Sequence, residues 1–158
     1  LPASSAASDV YKRQRLRNIS LNVQLEEDID IVVDASAFSI ILSNFVTNAL
    51  KHSPSNSEIL IKNDLEDDFL TTLSVIDHGK GIPKKYRDRV FERFFRVDKG
   101  RAKHSGGTGL GLAISKHLAR LMGYEVGMKP NKPNGSRFWI SVNYASSEEE
   151  KSLTPELA

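Results

Sequence analysis

A glycine-rich stretch at residues 106–112, GGTGLGL, is the clearest chemical signal in the sequence. Glycines at positions 107, 109 and 111 would let backbone amides approach an anion closely, because glycine has no Cβ and adopts positive φ readily. A helix beginning near Leu110 would add its N-terminal N–H groups and the positive end of its dipole. The stretch therefore predicts a phosphate-binding loop. A flexible surface turn is the alternative, since the spacing matches neither the dinucleotide fingerprint nor the P-loop.

Two asparagines and a lysine share one edge of a predicted helix. The helix is expected over residues 37–52, with Asp34 in the position of an N-cap and a proline after its end. Its apolar side chains fall on one broad face, and Asn44, Asn48 and Lys51 gather at the edge of that face. Amide oxygens suit a hard cation such as Mg²⁺, and an ammonium group can offset phosphate charge. This edge predicts a metal and phosphate site, with a solvated helix side as the alternative.

A carboxylate and two spaced glycines follow a predicted strand. Asp77 comes directly after the strand expected over residues 70–76, and Gly79 and Gly81 come next. An aspartate in such a position commonly caps a turn. In a nucleotide site the same carboxylate can accept a hydrogen bond from the exocyclic amine of adenine, a contact that the O6 atom of guanine does not reproduce.

A basic segment with almost no apolar residue precedes the glycine-rich loop. A helix predicted over residues 84–95 ends in a cluster of phenylalanines, and Arg96 follows it. Residues 98–105 then carry Lys99, Arg101 and Lys103, with one alanine as their apolar content. Such a segment cannot bury itself. It predicts a mobile lid whose cations favour a polyphosphate, or else an ordinary polar loop.

Hydrophobic periodicity predicts the elements that must position these groups. Strands are expected at residues 19–25, 31–33, 59–62, 70–76, 124–128 and 138–142, and a second helix at 110–122. The strand at 19–25 is expected to be half-buried. The strands at 59–62 and 70–76 are expected to form a hairpin, and Gly123 is expected to end the second helix.

Composition narrows the class of protein. The chain of 158 residues has a net charge of +2 and no cysteine. So small a charge, without a basic run interleaved with aromatics, gives no support to nucleic-acid binding, and disulfides and thiolate metal sites are excluded. No apolar run reaches the ~20 residues that span a bilayer. The chain is therefore expected to be soluble and cytoplasmic and to need no membrane contact. A parent protein anchored in the inner membrane is compatible with this expectation.

Both ends of the chain are predicted to lie outside the folded domain, which is expected over residues 18–144. Residues 1–17 begin small and polar, and the stretch at 9–14 resembles the translation of a sequencing adapter. This segment is interpreted as disordered or non-native. Residues 145–158 are rich in Ser and Glu and predict a disordered tail.

Four motifs in order resemble those of sensor histidine kinases. They are an N box at 44–53 (NFVTNALKHS), a G1 box at 77–82 (DHGKGI), an F box at 91–96 (FERFFR) and a G2 box at 107–114 (GTGLGLAI). The resemblance implies an α+β fold of the Bergerat type, a two-layer α/β sandwich in which a mixed β-sheet is backed by helices. ATP would bind between the helices and a flexible lid. The turn at 133–136 (PNGS) departs from the Gly-x-Gly-Thr that the family often has.

The resemblance also implies ATP and Mg²⁺ as cofactors and assigns residues to them. Asn44 and Asn48 would hold Mg²⁺, and the residues implied to serve phosphoryl transfer are Asn48, Lys51 and Arg96. The residues implied to close over the triphosphate are Gly107, Thr108, Gly109, Leu110, Gly111 and Leu112.

The adenine end of the site is implied in the same way. Asp77 would select the base, in a pocket that Gly79, Gly81 and Ile82 would line. His52 stands where relatives carry an aromatic residue or a histidine, and both nucleotide contact and packing at the helix end are compatible with it.

The phosphoacceptor motif of the family is missing. That motif is a histidine followed by an acidic residue, and Asp or Glu follows none of the four histidines, which are His52, His78, His104 and His117. The chain is expected to be the catalytic ATP-binding domain, with an upstream dimerisation and phosphoacceptor domain and the receiver domain of a response regulator as partners. A serine kinase of the anti-sigma-factor type and a nucleotide sensor without transferase activity are the alternatives.

Overall fold

The computed structural model describes residues 11–12, 14–15, 17–26, 28–97 and 108–146. From residue 17 onwards, the described ranges contain the α-helices α1 (Ala35–His52) and α2 (Gly111–Leu121), with a 3₁₀ helix at Lys84–Arg89 between them. The strands are β1 (Ser20–Gln24), β2 (Ile29–Ile31), β3 (Glu58–Leu65), β4 (Leu70–Ile76), β5 (Glu125–Pro130) and β6 (Ser136–Ser146).

The strands form one mixed sheet. Its order is β1-β3-β4-β6-β2, with β5 also paired to β6. The β1 and β3 strands run parallel, whereas β3 and β4 form the predicted antiparallel hairpin. Alternate apolar residues of the central strands join the hydrophobic core with α1, including Ile59, Val75 and Ile140. This arrangement confirms the predicted α+β class, a mixed sheet backed by helices.

Helix α1 buries its apolar face on this sheet. The Asp34 carboxylate accepts a hydrogen bond from the Ala37 amide at 2.8 Å, as expected of an N-cap. Ile41, Phe45, Ala49 and Leu50 are buried, and the Phe45 ring lies 5.7 Å from the ring of Phe138 on β6. The predicted polar edge of α1, which carries Asn44, Asn48 and Lys51, therefore lies at the side of the helix and does not face the sheet.

The second strand begins and ends earlier than predicted. The sequence pattern favoured residues 31–33, whereas β2 covers Ile29–Ile31 and pairs with the end of β6. Val33 instead leads directly into the capping residue Asp34, because α1 starts at Ala35. The two residues before the cap are therefore needed for the turn between strand and helix.

The helix predicted over residues 84–95 is wrong beyond its first half. A 3₁₀ helix covers Lys84–Arg89, and irregular turns follow. The Phe94 amide donates to the Gly109 carbonyl at 2.8 Å rather than to a carbonyl in its own segment, and Phe94 has a φ of 62°. Phe91 packs on Phe138 in the core while Phe94 is 67% exposed. Phe91 and Phe94 thus point in different directions, whereas residues three apart in a continuous α-helix lie on the same face.

Two predicted apolar patterns face the core only in part. Ile19 is buried before β1, but Leu21 and Val23 on the same face of that strand are exposed, Val23 by 60%. The reason is that β1 is the edge strand of the sheet. On α2, Ile114 and Leu121 are exposed as well, although the helix itself is confirmed.

The limits of the domain differ slightly from the prediction. Residues 145 and 146 belong to β6 and pair with β2, so the strand runs past the expected boundary at 144. The predicted lid at 98–105, Gly107 and residues 147–158 lie outside the described residues. Within the described ranges, no helix has both the length and the apolar character needed to cross a bilayer.

We expect Asp34→Ala to lower the free energy of unfolding by about 1 kcal/mol, because the amides of the first turn of α1 lose a side-chain acceptor. Asp34→Asn is the matched control, since asparagine caps equally well. Urea denaturation of the three proteins measures the difference. Equal stability of the alanine and asparagine variants would contradict the assignment of Asp34 as a cap.

Candidate nucleotide-binding site

Asp77 is a buried carboxylate at the end of β4. The residue is 1% exposed, and its Oδ1 atom accepts hydrogen bonds from the amides of Gly79 at 2.8 Å and Ser136 at 3.3 Å. Burial raises the pKa of the carboxyl above its usual value, although the two backbone amides oppose this rise. The second carboxylate oxygen makes no hydrogen bond to another described residue. It is therefore available to accept one from a ligand.

The turn between β5 and β6 supports Asp77 from behind. A Cβ atom at Gly135 would lie 1.9 Å from the carbonyl oxygen of Asp77, so only glycine permits this approach. The Asn131 side chain donates to the same carbonyl oxygen at 3.0 Å, and the Asp77 amide donates to the Ser136 carbonyl at 2.9 Å. Sequence reasoning missed Asn131 and Ser136 as parts of the site. The departure of the turn at 133–136 from the family pattern was a signal for Ser136 but not for Asn131.

The loop after Asp77 packs directly on the end of α1. A Cβ atom at Gly79 would lie 2.4 Å from the carbonyl oxygen of His52, the last residue of the helix. Gly81 has a φ of 72°, and the half-buried Ile82 packs against the core. Of the predicted base-pocket residues, Gly79 therefore adjoins the C-terminal residue of α1, whereas Gly81 lies against Gly135.

Asn44 joins α1 to the start of α2. Its side-chain nitrogen donates to the Gly111 carbonyl at 2.9 Å and to the Ser115 hydroxyl at 3.1 Å. The hydroxyl of Ser115, which is fully buried, in turn donates to the Gly111 carbonyl at 2.9 Å. Because its amide nitrogen is occupied in this way, Asn44 has its side-chain oxygen left for a ligand.

Asn48 and Lys51 lie between the two contacts that α1 makes through Asn44 and His52. Asn48 is half-buried, and its side-chain amide makes no hydrogen bond to another described residue. Lys51 is half-buried and His52 is exposed in the last turn. With a rise of 1.5 Å per residue, Asn44 and His52 are separated by about 12 Å along the helix axis.

The first turn of α2 has no side-chain cap. Leu110 occupies the N-cap position without a side-chain hydrogen bond, and the first turn contains no acidic residue. The Leu110 amide donates to the Thr108 hydroxyl at 3.3 Å, and Leu112 packs against the core. The amides that begin a helix lack partners within it. This end of α2 can therefore bind an anion.

The residues before α2 are held against the segment that ends in Arg96. Gly109 has a φ of 71°, and a Cβ atom there would lie 2.9 Å from the Cα atom of Phe94. Arg96 is half-buried two residues further along. Gly109 of the glycine-rich loop and Phe94 of the aromatic segment are thus in contact, as a site that uses both segments requires.

The donor set is compatible with Mg²⁺. The described residues contain no group of three His, Cys, Asp or Glu side chains that could hold a metal ion. The oxygens of Asn44 and Asn48 are hard neutral ligands, and Mg²⁺ commonly keeps several waters and takes other ligands from substrate phosphates. A cation here would therefore depend on a bound polyphosphate.

The family model described as histidine kinase-, DNA gyrase B-, and HSP90-like ATPase matches residues 33–146. The chain belongs to this family. Sensor histidine kinase WalK of Bacillus subtilis (strain 168) is 36% identical over 126 residues, which make up 79% of this chain and 21% of WalK. Sensor-like histidine kinase SenX3 of Mycolicibacterium smegmatis is 36% identical over 142 residues, 87% of this chain and 37% of SenX3. The chain spans well under half the length of these relatives.

Solved structures give the same assignment. Mycobacterial sensor histidine kinase MprB superposes with a TM-score of 0.72 at 27% identity, covering 90% of this chain and 95% of that one. Full-length ShkA in complex with AMPPNP superposes with a TM-score of 0.74 at 28% identity, covering 91% of this chain and 29% of that one. The chain is thus an ATP-binding catalytic domain of the sensor histidine kinase type.

We expect Gly79→Ala to lower the free energy of unfolding by about 1–3 kcal/mol, because the added methyl group overlaps the His52 carbonyl oxygen. Gly111→Ala is the matched control, since a Cβ atom there meets the Asn44 side chain at an ordinary 3.5 Å. Thermal unfolding of both variants tests this. An alanine at 79 that is tolerated as well as one at 111 would show that the loop does not pack on α1 as described.

Proposed function

We propose that this domain binds Mg²⁺–ATP and transfers the γ-phosphoryl group to a histidine on a separate dimerisation domain. The observation that carries the proposal is the double contact of α1. Its C-terminal residue meets the loop after Asp77, and Asn44, about 12 Å earlier, meets the start of α2. This distance suits a nucleoside triphosphate lying along the polar edge of α1, with its base at one end and its phosphates at the other.

Asp77 would select adenine. One of its carboxylate oxygens is held by two backbone amides, which fixes the direction of the other. That oxygen can accept from the 6-amino group of adenine, whereas guanine presents a carbonyl at the equivalent position. A buried acceptor left without a donor is costly, so the same geometry disfavours guanine nucleotides.

The phosphates would lie between α1 and the start of α2. The uncapped amides of α2 would bind them, with charge compensation from Lys51 and Arg96. A Mg²⁺ ion held by Asn48 and Asn44 together with phosphate oxygens would neutralise charge that develops during transfer. Gly107 and Thr108 would complete the closure over the triphosphate. The assignments of the described residues rest on their positions and on the motif resemblance, and that of Gly107 rests on the resemblance alone.

Transfer requires little covalent chemistry from the domain itself. A nitrogen of the acceptor imidazole attacks the γ-phosphorus, the bond to the β,γ-bridging oxygen breaks, and ADP leaves while the imidazole loses its proton. The domain contributes by holding the γ-phosphoryl group in line and by stabilising its charge. The partners proposed are the dimerisation domain that supplies the histidine and the receiver domain of a response regulator. The named relatives support this choice over a serine kinase.

We expect Asp77→Asn to weaken ATP binding by about 1.5–3 kcal/mol, because an amide nitrogen replaces the free acceptor oxygen. The asparagine Oδ1 can still accept from Gly79 and Ser136, so the fold should survive. Asp67→Asn is the matched control, since the Asp67 carboxylate likewise accepts two backbone amides, those of Phe69 and Leu70, in the hairpin turn. Titration calorimetry with ATP and GTP measures the effect.

Protonation of Asp77 should act in the same direction as the substitution. Because the pKa of Asp77 is raised, ATP affinity of the unmutated protein should fall as the pH is lowered towards that pKa, before an ordinary aspartate titrates. Asp77→Asn should lack this component of the pH profile. GTP binding as tight as ATP binding in the unmutated protein would remove Asp77 from the proposed role.

We expect this chain, incubated with labelled ATP and Mg²⁺, to acquire no acid-labile, alkali-stable phosphoryl group, because its four histidines lack the acceptor motif. Addition of a dimerisation domain from a sensor kinase of matching specificity should restore transfer in trans, weakly, since the effective concentration of a linked domain is lost. Phosphohistidine on any of the four histidines, His52, His78, His104 or His117, would contradict the proposal. Transfer to a serine of an added partner would favour the anti-sigma-factor alternative.

A further inference from the structure

Arg17 lies at the end of the segment that the sequence predicts to be disordered or non-native, but the structure binds it to the C-terminal end of α1. Its guanidinium donates to the Leu50 carbonyl at 2.8 Å and to the Ser53 carbonyl. The last carbonyls of an α-helix have no partner within the helix and carry the negative end of its dipole. A planar guanidinium can satisfy two of them at once, which a lysine ammonium does with less geometric precision.

The backbone around Arg17 is fixed to the same region. The Arg17 carbonyl accepts from the Asn56 amide at 2.9 Å, and the Asn18 side chain donates to the Asn56 side chain at 3.0 Å. Asn18 and Asn56 both have positive φ, 50° and 59°, in the two segments that these bonds join. The segment before β1 and the loop after α1 are therefore held together by side chain and backbone alike.

The turn that Arg17 binds is the turn that contacts the candidate nucleotide site. Lys51 and His52 lie between the two carbonyls that the guanidinium bridges, and the His52 carbonyl abuts Gly79. Leu50 and Ser53 are fully buried, so this backbone has little freedom to adjust independently. A displacement of Arg17 must therefore reach both Lys51 and the loop after Asp77.

We propose that Arg17 is a positioning residue for the nucleotide site, acting through the last turn of α1. It touches neither base nor phosphate; it sets where Lys51 and the Gly79 loop stand. Movement of the segment before β1 would then change nucleotide affinity, and bound nucleotide would in turn hold Arg17 in place, because such coupling is reciprocal. The effect on affinity rests on the nucleotide-binding function proposed above, whereas the coupling of Arg17 to Gly79 does not.

The test compares Arg17→Ala and Arg17→Lys with Arg15→Ala, a matched control that removes the same charge from an exposed position in the same segment. We expect Arg17→Ala to weaken ATP binding about threefold to tenfold by titration calorimetry, Arg17→Lys to recover part of that loss, and Arg15→Ala to leave it unchanged. In nucleotide-free protein, the backbone amide resonance of Gly79 should shift with Arg17→Ala and not with Arg15→Ala. The amide of Gly127, on β5, should serve as the remote reference.

The outcomes separate the two proposals. Unchanged ATP affinity together with an unchanged Gly79 resonance in Arg17→Ala would overturn the role of Arg17. If the unmutated protein itself fails to bind ATP, the proposed function falls, while the Gly79 resonance still decides the coupling. Should Arg17→Ala not fold, the same two measurements on Arg17→Lys and Arg17→Gln decide, because both keep hydrogen-bond donors near the helix end. If those variants and the unmutated protein have identical ATP affinities and identical Gly79 resonances, the positioning role of Arg17 is also overturned.

Discussion

The ring of Phe45 packs against Phe138 with a centroid distance of 5.7 Å, and this contact fixes the rotation of α1 about its axis. With Ile41 and Ala49 buried on the same face, the edge that carries Asn44 and Asn48 must turn sideways, towards α2. Hydrophobic burial has no preferred direction of its own. A helix with one broad apolar face, however, can bury that face on the sheet in only one rotation about its axis. The chemistry of the site is thus a consequence of where the apolar residues of α1 lie.

Burial of Asp77 is unfavourable, in contrast to burial of the apolar face of α1, because its carboxylate loses contact with water. Burial disfavours its ionised form, and the amides of Gly79 and Ser136 offset part of that penalty through one carboxylate oxygen. The other oxygen makes no hydrogen bond to another described residue. In the role proposed for Asp77, a ligand with a donor at the matching position would relieve part of this cost and a ligand without one would not, so selectivity would arise from desolvation as much as from attraction.

Backbone contacts, rather than side-chain bonds alone, join the parts of the site. The loop after Asp77 meets α1 at the His52 carbonyl, and the turn before β6 meets Asp77 through Gly135. These close approaches exclude a Cβ atom, which accounts for the glycines at both positions. Arg17 adds a charged contact to the same end of α1 from outside the site. Rigid joints of this kind allow small displacements to pass between segments that are distant in sequence.

The sequence by itself determined the kinds of element and most of the chemistry. The 3.6-residue period of α1, its Asp34 cap and the order of the glycine motifs are local properties, readable without knowing the neighbours. Tertiary structure decided what depends on neighbours: the exposure of Val23 on an edge strand, the break of the helix before Phe94, and the pairing of Asn44 with α2. Burial and hydrogen-bond partners belong to the assembled sheet and helices, so no periodicity within one segment could specify them.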